Sequence, residues 1–171
     1  MKMLSVSKPR NIIDRKQLIV LLKSLAGSSG YQTFCQNDIL KCLKDVQLKG
    51  WIEIRRRFEN GFGDSIQTIR ENSYLVDQLV RTIYEFAALE VFPTANPTRG
   101  EQMALMATGG FGRSELAPYS DIDIMFLLPY KRTPRIEQII EFTLYMLWDL
   151  GFKVGHATRS INDAVRLSKE D

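Results

Sequence analysis

The sequence predicts an α+β fold, in which a helical amino-terminal region is followed by a small mixed β-sheet with helices on one face. Three observations support this fold class. Apolar residues recur at helical spacing through most of residues 1–92, and residues 93–100 break that pattern with two prolines and a glycine. After them, β-branched and aromatic runs alternate with a glycine-rich turn and one amphipathic helix. We therefore divide the chain into a helical region (1–92), a linker (93–100) and a second domain (101–171).

The helical region contains three predicted helices. The first covers residues 12–25 and ends at a glycine and serine turn. The second covers about residues 34–58, with Gly50 as a candidate interruption. The third covers about residues 73–92, and Ser73 is positioned to cap its first turn.

In the second domain, the sequence predicts the order strand, loop, strand, helix, strand and helix. β-Branched and aromatic residues favour the strands, and a threonine followed by proline favours the start of the first helix. A glycine follows the end of that helix. The predicted strands are 103–107, 122–128 and 152–157, and the predicted helices start after Thr133 and at Ile161.

The composition excludes several classes of protein. With 44% hydrophobic and 25% charged residues and a net charge of +3, the chain is not disordered, collagen-like or mucin-like. Two cysteines and one histidine exclude a disulfide framework and a zinc site of paired Cys and His. No stretch approaches the roughly 20 apolar residues of a membrane helix, and no signal-peptide core is present. We expect a cytoplasmic protein with no membrane partner.

Basic residues cluster at Arg55, Arg56 and Arg57. Such a run is compatible with a phosphate or nucleic-acid patch. A solvated helix face is the favoured interpretation, because the run lies in a predicted helix and the net charge is small. No nucleic-acid partner is expected.

Two carboxylates open the predicted strand at residues 122–128. Side chains alternate along a strand, so Asp121 and Asp123 point to one face, while Ile122 and Ile124 point to the core. Like charges so close repel each other unless a divalent cation neutralises them. Ligands that are all oxygen favour a hard ion, so Asp121 and Asp123 are the candidate ligands of Mg²⁺ or Mn²⁺.

A glycine-rich loop precedes the acidic pair. Gly109 and Gly110 allow backbone conformations in which amide groups turn toward an anion such as a triphosphate. Arg113 and Ser120 are candidates for further phosphate contacts, and Arg113 is equally placed to pair with Glu115. A glycine turn alone, or an Asp-x-Asp pair alone, is common in proteins of other functions. Their succession predicts a site for a metal-bound nucleotide.

These residues resemble a known family. Gly109 and Gly110, followed after eleven residues by Asp-x-Asp in an apolar strand, resemble the signature of the DNA polymerase β-like nucleotidyltransferase superfamily. The whole run from Gly109 to Asp123 is similar to the motif of the bacterial bifunctional uridylyltransferase/uridylyl-removing enzymes, which modify nitrogen regulatory protein P-II. Residues 151–160 also resemble that family. The resemblance is close over about residues 100–171.

The resemblance implies a function for each candidate. Asp121 and Asp123 would bind catalytic Mg²⁺, and the amides around Gly109 and Gly110 would hold the phosphates of UTP. The reaction would transfer UMP from UTP to a tyrosine of P-II, release pyrophosphate and serve nitrogen regulation. The family also uses a third carboxylate from a later strand, a metal-dependent phosphohydrolase domain and two ligand-binding domains. We expect these beyond residue 171, which would make the second domain incomplete.

Two alternatives stay open at this point. One keeps the fold and changes the substrate to adenylyl or another nucleotidyl group. The other is a nucleotide-binding or protein-binding fragment without turnover. Metal-dependent nucleotide binding distinguishes the two enzymes from a protein-binding module, and turnover distinguishes an enzyme from a fragment that only binds.

Overall fold

The computed structural model describes residues 6–27, 33–96, 98–130 and 132–170. Pro97 of the predicted linker lies outside these residues. The helices are α1 (Pro9–Ile12), α2 (Arg15–Gly27), α3 (Thr33–Glu59), α4 (Ser65–Phe86), α5 (Gly109–Gly112), α6 (Pro134–Asp149) and α7 (Ile161–Glu170). The strands are β1 (Ala104–Ala107), β2 (Ile122–Leu128) and β3 (Val154–Ser160). The α+β fold class is confirmed.

The first predicted helix is divided in two. The turn of α1 ends at Ile12, and α2 begins at Arg15. The carboxylate of Asp14 accepts hydrogen bonds from the amides of Lys16 and Gln17, each at 3.1 Å. A side chain that satisfies the first amides of a helix marks its start, so α2 begins three residues later than predicted.

Helix α3 runs through Gly50 without interruption, so the predicted break is wrong. Gly50 is buried, and a β-carbon there would lie 2.6 Å from Cδ1 of Leu75 in α4. The glycine therefore lets α3 and α4 approach closely. This packing outweighs the cost of about 1 kcal/mol that glycine carries inside a helix.

Helix α4 begins at Ser65 rather than at Ser73. Its cap is Asp64, whose carboxylate accepts a 2.7 Å hydrogen bond from the amide of Gln67. Ser73 is buried inside the helix, and its hydroxyl has a different role described below. After Phe86 the chain continues in a short π-helical turn, Ala87–Val91.

The sheet has the order β1-β2-β3, with β1 antiparallel and β3 parallel to the central β2. The predicted alternation is confirmed, because Ile122, Ile124 and Phe126 are buried while Asp123 is exposed. Helix α6 connects β2 to β3, and the hydroxyl of Thr133 caps it as predicted. Strand β3 begins two residues later than predicted and continues three residues further.

The helical region packs directly on the second domain. The side-chain amide of Gln47 in α3 donates a hydrogen bond to the carbonyl of Leu150, and the hydroxyl of Tyr84 in α4 donates one to the carbonyl of Met103. Buried apolar residues of α3, α4, α6 and β2 form one core. None of the helices in the described ranges has the length and apolar character needed to span a membrane.

The basic run on α3 is divided between solvent and interior. Arg55 and Arg56 are exposed, as predicted, but Arg57 is buried. Its guanidinium donates to Glu53 and to Glu71, each at 2.9 Å. It also donates to the backbone carbonyls that precede α1, those of Ser7 (2.7 Å) and Lys8 (3.1 Å). The interpretation as a solvated face is therefore wrong for Arg57, which joins α3, α4 and the segment before α1.

The lowered pKa of Glu53 leads to a prediction about how acid affects the stability of the fold. Hydrogen bonds from Arg56 and Arg57 lower the pKa of Glu53 to about 2, from an ordinary value of 4.5. Because the folded-state pKa is depressed, this contribution to stability is fully present above about pH 4.5 and is lost as the pH falls toward 2. The Glu53→Gln variant should unfold at lower urea concentration than the wild type at pH 7, and the difference should shrink below pH 4.5. Urea midpoints measured between pH 2 and pH 7 test this, and a difference independent of pH would contradict it.

Candidate functional site

The carboxylate of Asp123 lies between two glycines. Asp123 is on β2, and its register partner on the parallel strand β3 is Gly155. A β-carbon at Gly155 would lie 2.5 Å from Oδ1 of Asp123, and a β-carbon at Gly109 would lie 2.9 Å from Oδ2. Both distances are too short for a real side chain, so the two glycines leave the space that the carboxylate occupies.

Asp121 lies immediately before β2, where the chain is already aligned with β3. The amide of Ile122 donates a 2.8 Å hydrogen bond to the carbonyl of Lys153, which fixes the start of the strand. Residues two apart on an extended chain are separated by about 6.6 Å. Both Asp121 and Asp123 are exposed, so the acidic pair is open to solvent at the beginning of β2.

The glycine-rich loop contains a single helical turn, α5, rather than only the predicted turn. The amide of Thr108 donates a 2.9 Å hydrogen bond to the carbonyl of Asp123, which sets α5 beside β2. Gly109 has a φ of +56°, a conformation that favours glycine. Gly112 packs closely on β1, since a β-carbon there would lie 2.7 Å from the carbonyl oxygen of Ala107.

The first amides of this turn are candidates for anion binding. Within the described part of the chain, the amides of Gly109 and Gly110 donate to no carbonyl and to no side chain. The first amides of a helical turn have no acceptor within the helix itself. Gly109 is exposed, and a β-carbon at this position would face Oδ2 of Asp123.

Arg113 and Ser120 are the other two predicted phosphate contacts. The guanidinium of Arg113 pairs with Glu115 at 3.0 Å, which is the alternative that the sequence left open. Both side chains are largely exposed, so the pair is weak and can exchange partners. Ser120 is exposed, and its amide donates to the carbonyl of Ala117 in the turn that precedes Asp121.

The carboxylates of Asp121 and Asp123 could supply some of the ligands of a hard divalent cation. Asp121 and Asp123 offer carboxylate oxygens, which such ions prefer. The space between Gly109 and Gly155 holds the Asp123 carboxylate without obstruction. Among the residues that the structure describes, no group of three or more His, Cys, Asp or Glu side chains is close enough to hold a metal. The described site thus supplies two carboxylates.

Two features of the site were missed by the sequence reasoning. Gly155 lies within the run at 151–160 that was noted for its resemblance, but its contact with Asp123 depends on the pairing of β2 with β3. The second feature is the contact of Asn72 and Ser73 with Leu116 in the loop before Asp121. The sequence carries no local signal for this contact, because 43 or more residues separate the partners.

Curated relatives match this chain over most of its length. The bifunctional uridylyltransferase/uridylyl-removing enzyme of Rhodospirillum rubrum is 46% identical over 166 residues, which are 97% of this chain and 18% of the relative. The enzyme of the same name from Azospirillum brasilense is 46% identical over 167 residues, 98% of this chain and 18% of the relative. That from Phenylobacterium zucineum is 50% identical over 132 residues, 77% of this chain and 14% of the relative.

The chain is homologous to one segment of this enzyme family. It spans about a fifth of the length of the first two relatives. No profile of a protein family and no solved structure matches the chain. The similarity to the uridylyltransferase/uridylyl-removing enzymes includes the helical region, because 97–98% of the chain is matched. The sequence had indicated a close resemblance only over about residues 100–171, so the family likeness extends further toward the amino terminus than predicted.

Proposed function

We propose that this chain forms part of the nucleotidyltransferase site of a P-II uridylyltransferase, which transfers UMP from UTP to a tyrosine of P-II in the bacterial cytoplasm. The observation that carries the proposal is the Asp123 carboxylate, which lies between Gly109 and Gly155 beside amides that have no acceptor among the described residues. The name of the relatives, uridylyltransferase/uridylyl-removing enzyme, supports the choice of the uridylyl group. The product would serve nitrogen regulation.

Five of the six candidate residues have a defined role in this proposal. Asp121 and Asp123 would hold Mg²⁺, or Mn²⁺ in its place, and the bound ion would supply positive charge that offsets the charge of the triphosphate and of the leaving pyrophosphate. The amides of Gly109 and Gly110 donate to phosphate oxygens. Arg113 exchanges its exposed partner Glu115 for a phosphate, since an arginine binds phosphate with two parallel hydrogen bonds.

The reaction is an in-line displacement. The tyrosine hydroxyl oxygen of P-II forms a bond to the α-phosphorus of UTP, and the bond between that phosphorus and the oxygen bridging to the β-phosphate breaks. Pyrophosphate leaves, and the hydroxyl proton passes to solvent. The residues of this chain orient the triphosphate, because such a transfer depends mainly on positioning and on electrostatic stabilisation.

Calorimetric titration with UTP tests the proposal. The wild-type chain should bind UTP only with Mg²⁺ present and should bind ATP more weakly. The variant with both Asp121→Asn and Asp123→Asn should lose this binding, because neutral amides are poor ligands for Mg²⁺. Its thermal unfolding midpoint should stay the same or rise, because the repulsion between two carboxylates is removed.

Two outcomes would count against the proposal. Unchanged UTP binding by the double variant would remove Asp121 and Asp123 from the metal site. Equal binding of UTP and ATP would leave a nucleotide site without preference for the uridylyl group. Circular dichroism of the double variant is the control for folding.

A further inference from the structure

The loop between the glycine turn and the acidic pair is held by the helical region. The side-chain amide of Asn72 donates a 2.8 Å hydrogen bond to the carbonyl of Leu116. The amide of Leu116 donates a 2.7 Å hydrogen bond to the hydroxyl of Ser73. Two neighbouring residues of α4 thus satisfy both backbone polar groups of one loop residue. All three residues are buried, which makes these bonds costly to lose.

Further hydrogen bonds orient the side chains of Asn72 and Ser73. The indole N–H of Trp51 in α3 donates to Oδ1 of Asn72 at 3.3 Å, which orients the amide of Asn72 so that its nitrogen faces Leu116. The hydroxyl of Ser73 donates to the carbonyl of Ile69, so its oxygen is oriented to accept from the loop. Both α4 side chains are therefore set in the orientation that the loop requires.

Leu116 is the fixed point of a loop that carries site residues in both directions. On one side, the amide of Glu115 donates a 2.9 Å hydrogen bond to the carbonyl of Gly110. On the other side, the turn closed by Ser120 leads directly into Asp121. A displacement of Leu116 would therefore disturb the loop that connects the glycine turn to the acidic pair.

The conformation of this loop needs external support. Ser114 has a φ of +59° and Tyr119 a φ of +67°, and neither is a glycine. Residues other than glycine are strained in the left-handed region, and they persist there where the surroundings determine the conformation. The bonds from Asn72 and Ser73 to Leu116, midway between these two residues, supply such surroundings.

We propose that Asn72 and Ser73 are positioning residues of the nucleotide site, through which the helical region holds the loop at residues 113–121. This inference rests on the proposed function for the identity of the ligand. It gives the helical region a part in the reaction without direct contact with the nucleotide or the metal.

The matched pair Ser73→Ala and Thr82→Val tests this. Both changes remove a buried hydroxyl from α4, but the hydroxyl of Thr82 donates only to the carbonyl of Gln78 in the same helix. Ser73→Ala should speed hydrogen exchange at the amides of Glu115 and Ser120, and weaken binding of UTP with Mg²⁺ by about tenfold. Thr82→Val should leave both quantities within about twofold of the wild type, although the unfolding midpoint of either variant falls.

A second pair provides the same comparison at an amide side chain. Asn72→Asp replaces the donor to Leu116 with an oxygen and should show the same two effects as Ser73→Ala. Gln47→Glu is its control, because Gln47 is also buried and donates to a backbone carbonyl of the second domain, that of Leu150, away from the loop.

The two measurements separate this inference from the proposed function. Loop exchange rates that are the same in Ser73→Ala and Thr82→Val would overturn the positioning role. Faster loop exchange in Ser73→Ala with unchanged affinity for UTP would also overturn it, because the loop would then not determine nucleotide binding. If the wild-type chain binds no UTP, the proposed function fails, and the exchange rates alone decide whether α4 holds the loop.

Discussion

Replacing Gly155 with alanine should reduce Mg²⁺-dependent UTP binding by about 10–100-fold without destabilising the fold. The new β-carbon would lie 2.5 Å from Oδ1 of Asp123, a distance that the two atoms cannot keep. The carboxylate is the end of a flexible side chain, so it moves and the backbone stays. Asp123 then presents its oxygens in a different place, and the metal loses a correctly positioned ligand.

Gly155→Ala should weaken UTP binding, but it should leave the stability of the fold unchanged or raise it slightly. Gly155 is exposed and lies in a strand, where alanine restricts the unfolded chain more than glycine does. We expect a change between 0 and about 1 kcal/mol in favour of the folded state. Urea unfolding measures this term, and calorimetry with UTP measures the loss of binding.

Gly27→Ala is the matched control. Gly27 ends α2, and a β-carbon there would have no atom within 4 Å, so binding should be unchanged and stability should rise slightly, as for Gly155→Ala. The Asp123→Asn background gives a second control, because Gly155→Ala should add little once the carboxylate is gone. Titration with Mn²⁺ alone, followed by electron paramagnetic resonance, repeats the comparison without nucleotide. Wild-type affinity in Gly155→Ala would show that the space between the glycines is irrelevant to binding.

Patterns of a few neighbouring residues were sufficient to predict strand β2 with its carboxylates and the start of helix α6. Alternation of apolar and acidic residues at 121–126 was sufficient to separate the buried face of β2 from the carboxylates, as Ile122 and Ile124 show. Threonine before proline was sufficient to place the start of α6. These signals act within a few residues, so they survive in any tertiary context that contains the element.

The missed parts depend on pairings between distant segments. Gly155 contacts Asp123 because the parallel strands β2 and β3, which α6 joins, pair in one particular register. The sequence of either strand alone does not determine that register. Ser73 has the chemistry of a helix cap, and it was placed at a helix start for that reason. In the structure its hydroxyl instead accepts a bond from Leu116, 43 residues away.

One missed feature did have a signal in the sequence. Buried positions on α3 recur at intervals of four and three residues, the spacing of one helix face. That face includes Gly50, which was read as a break, and Arg57, which was read as exposed. Reading the arginine run by its helical phase would have separated the third arginine from the first two. The buried positions are Ile39, Leu43, Gln47, Gly50, Ile54 and Arg57.

Replacing Arg57 with methionine should destabilise the fold by about 3–5 kcal/mol, the second large effect that we expect. The guanidinium is the partner of the buried Glu71 and of the carbonyls of Ser7 and Lys8. Methionine fills the volume but donates no hydrogen bond. Glu71 then keeps a buried charge without its cation, which costs more than the ion pair itself contributed. Urea unfolding at pH 7 measures the loss.

Two further variants separate this explanation from a simple loss of charge. Arg55→Met removes an exposed arginine two positions away, whose partner is Glu59, and should leave the urea midpoint unchanged. The double variant Arg57→Met with Glu71→Leu should be more stable than Arg57→Met alone, because it removes a buried carboxylate that has lost its cation and keeps only the hydrogen bond from Gln67. If the double variant loses as much stability as the two single changes added together, the buried charge is not the cause. The bonds to the segment before α1 would then account for the role of Arg57.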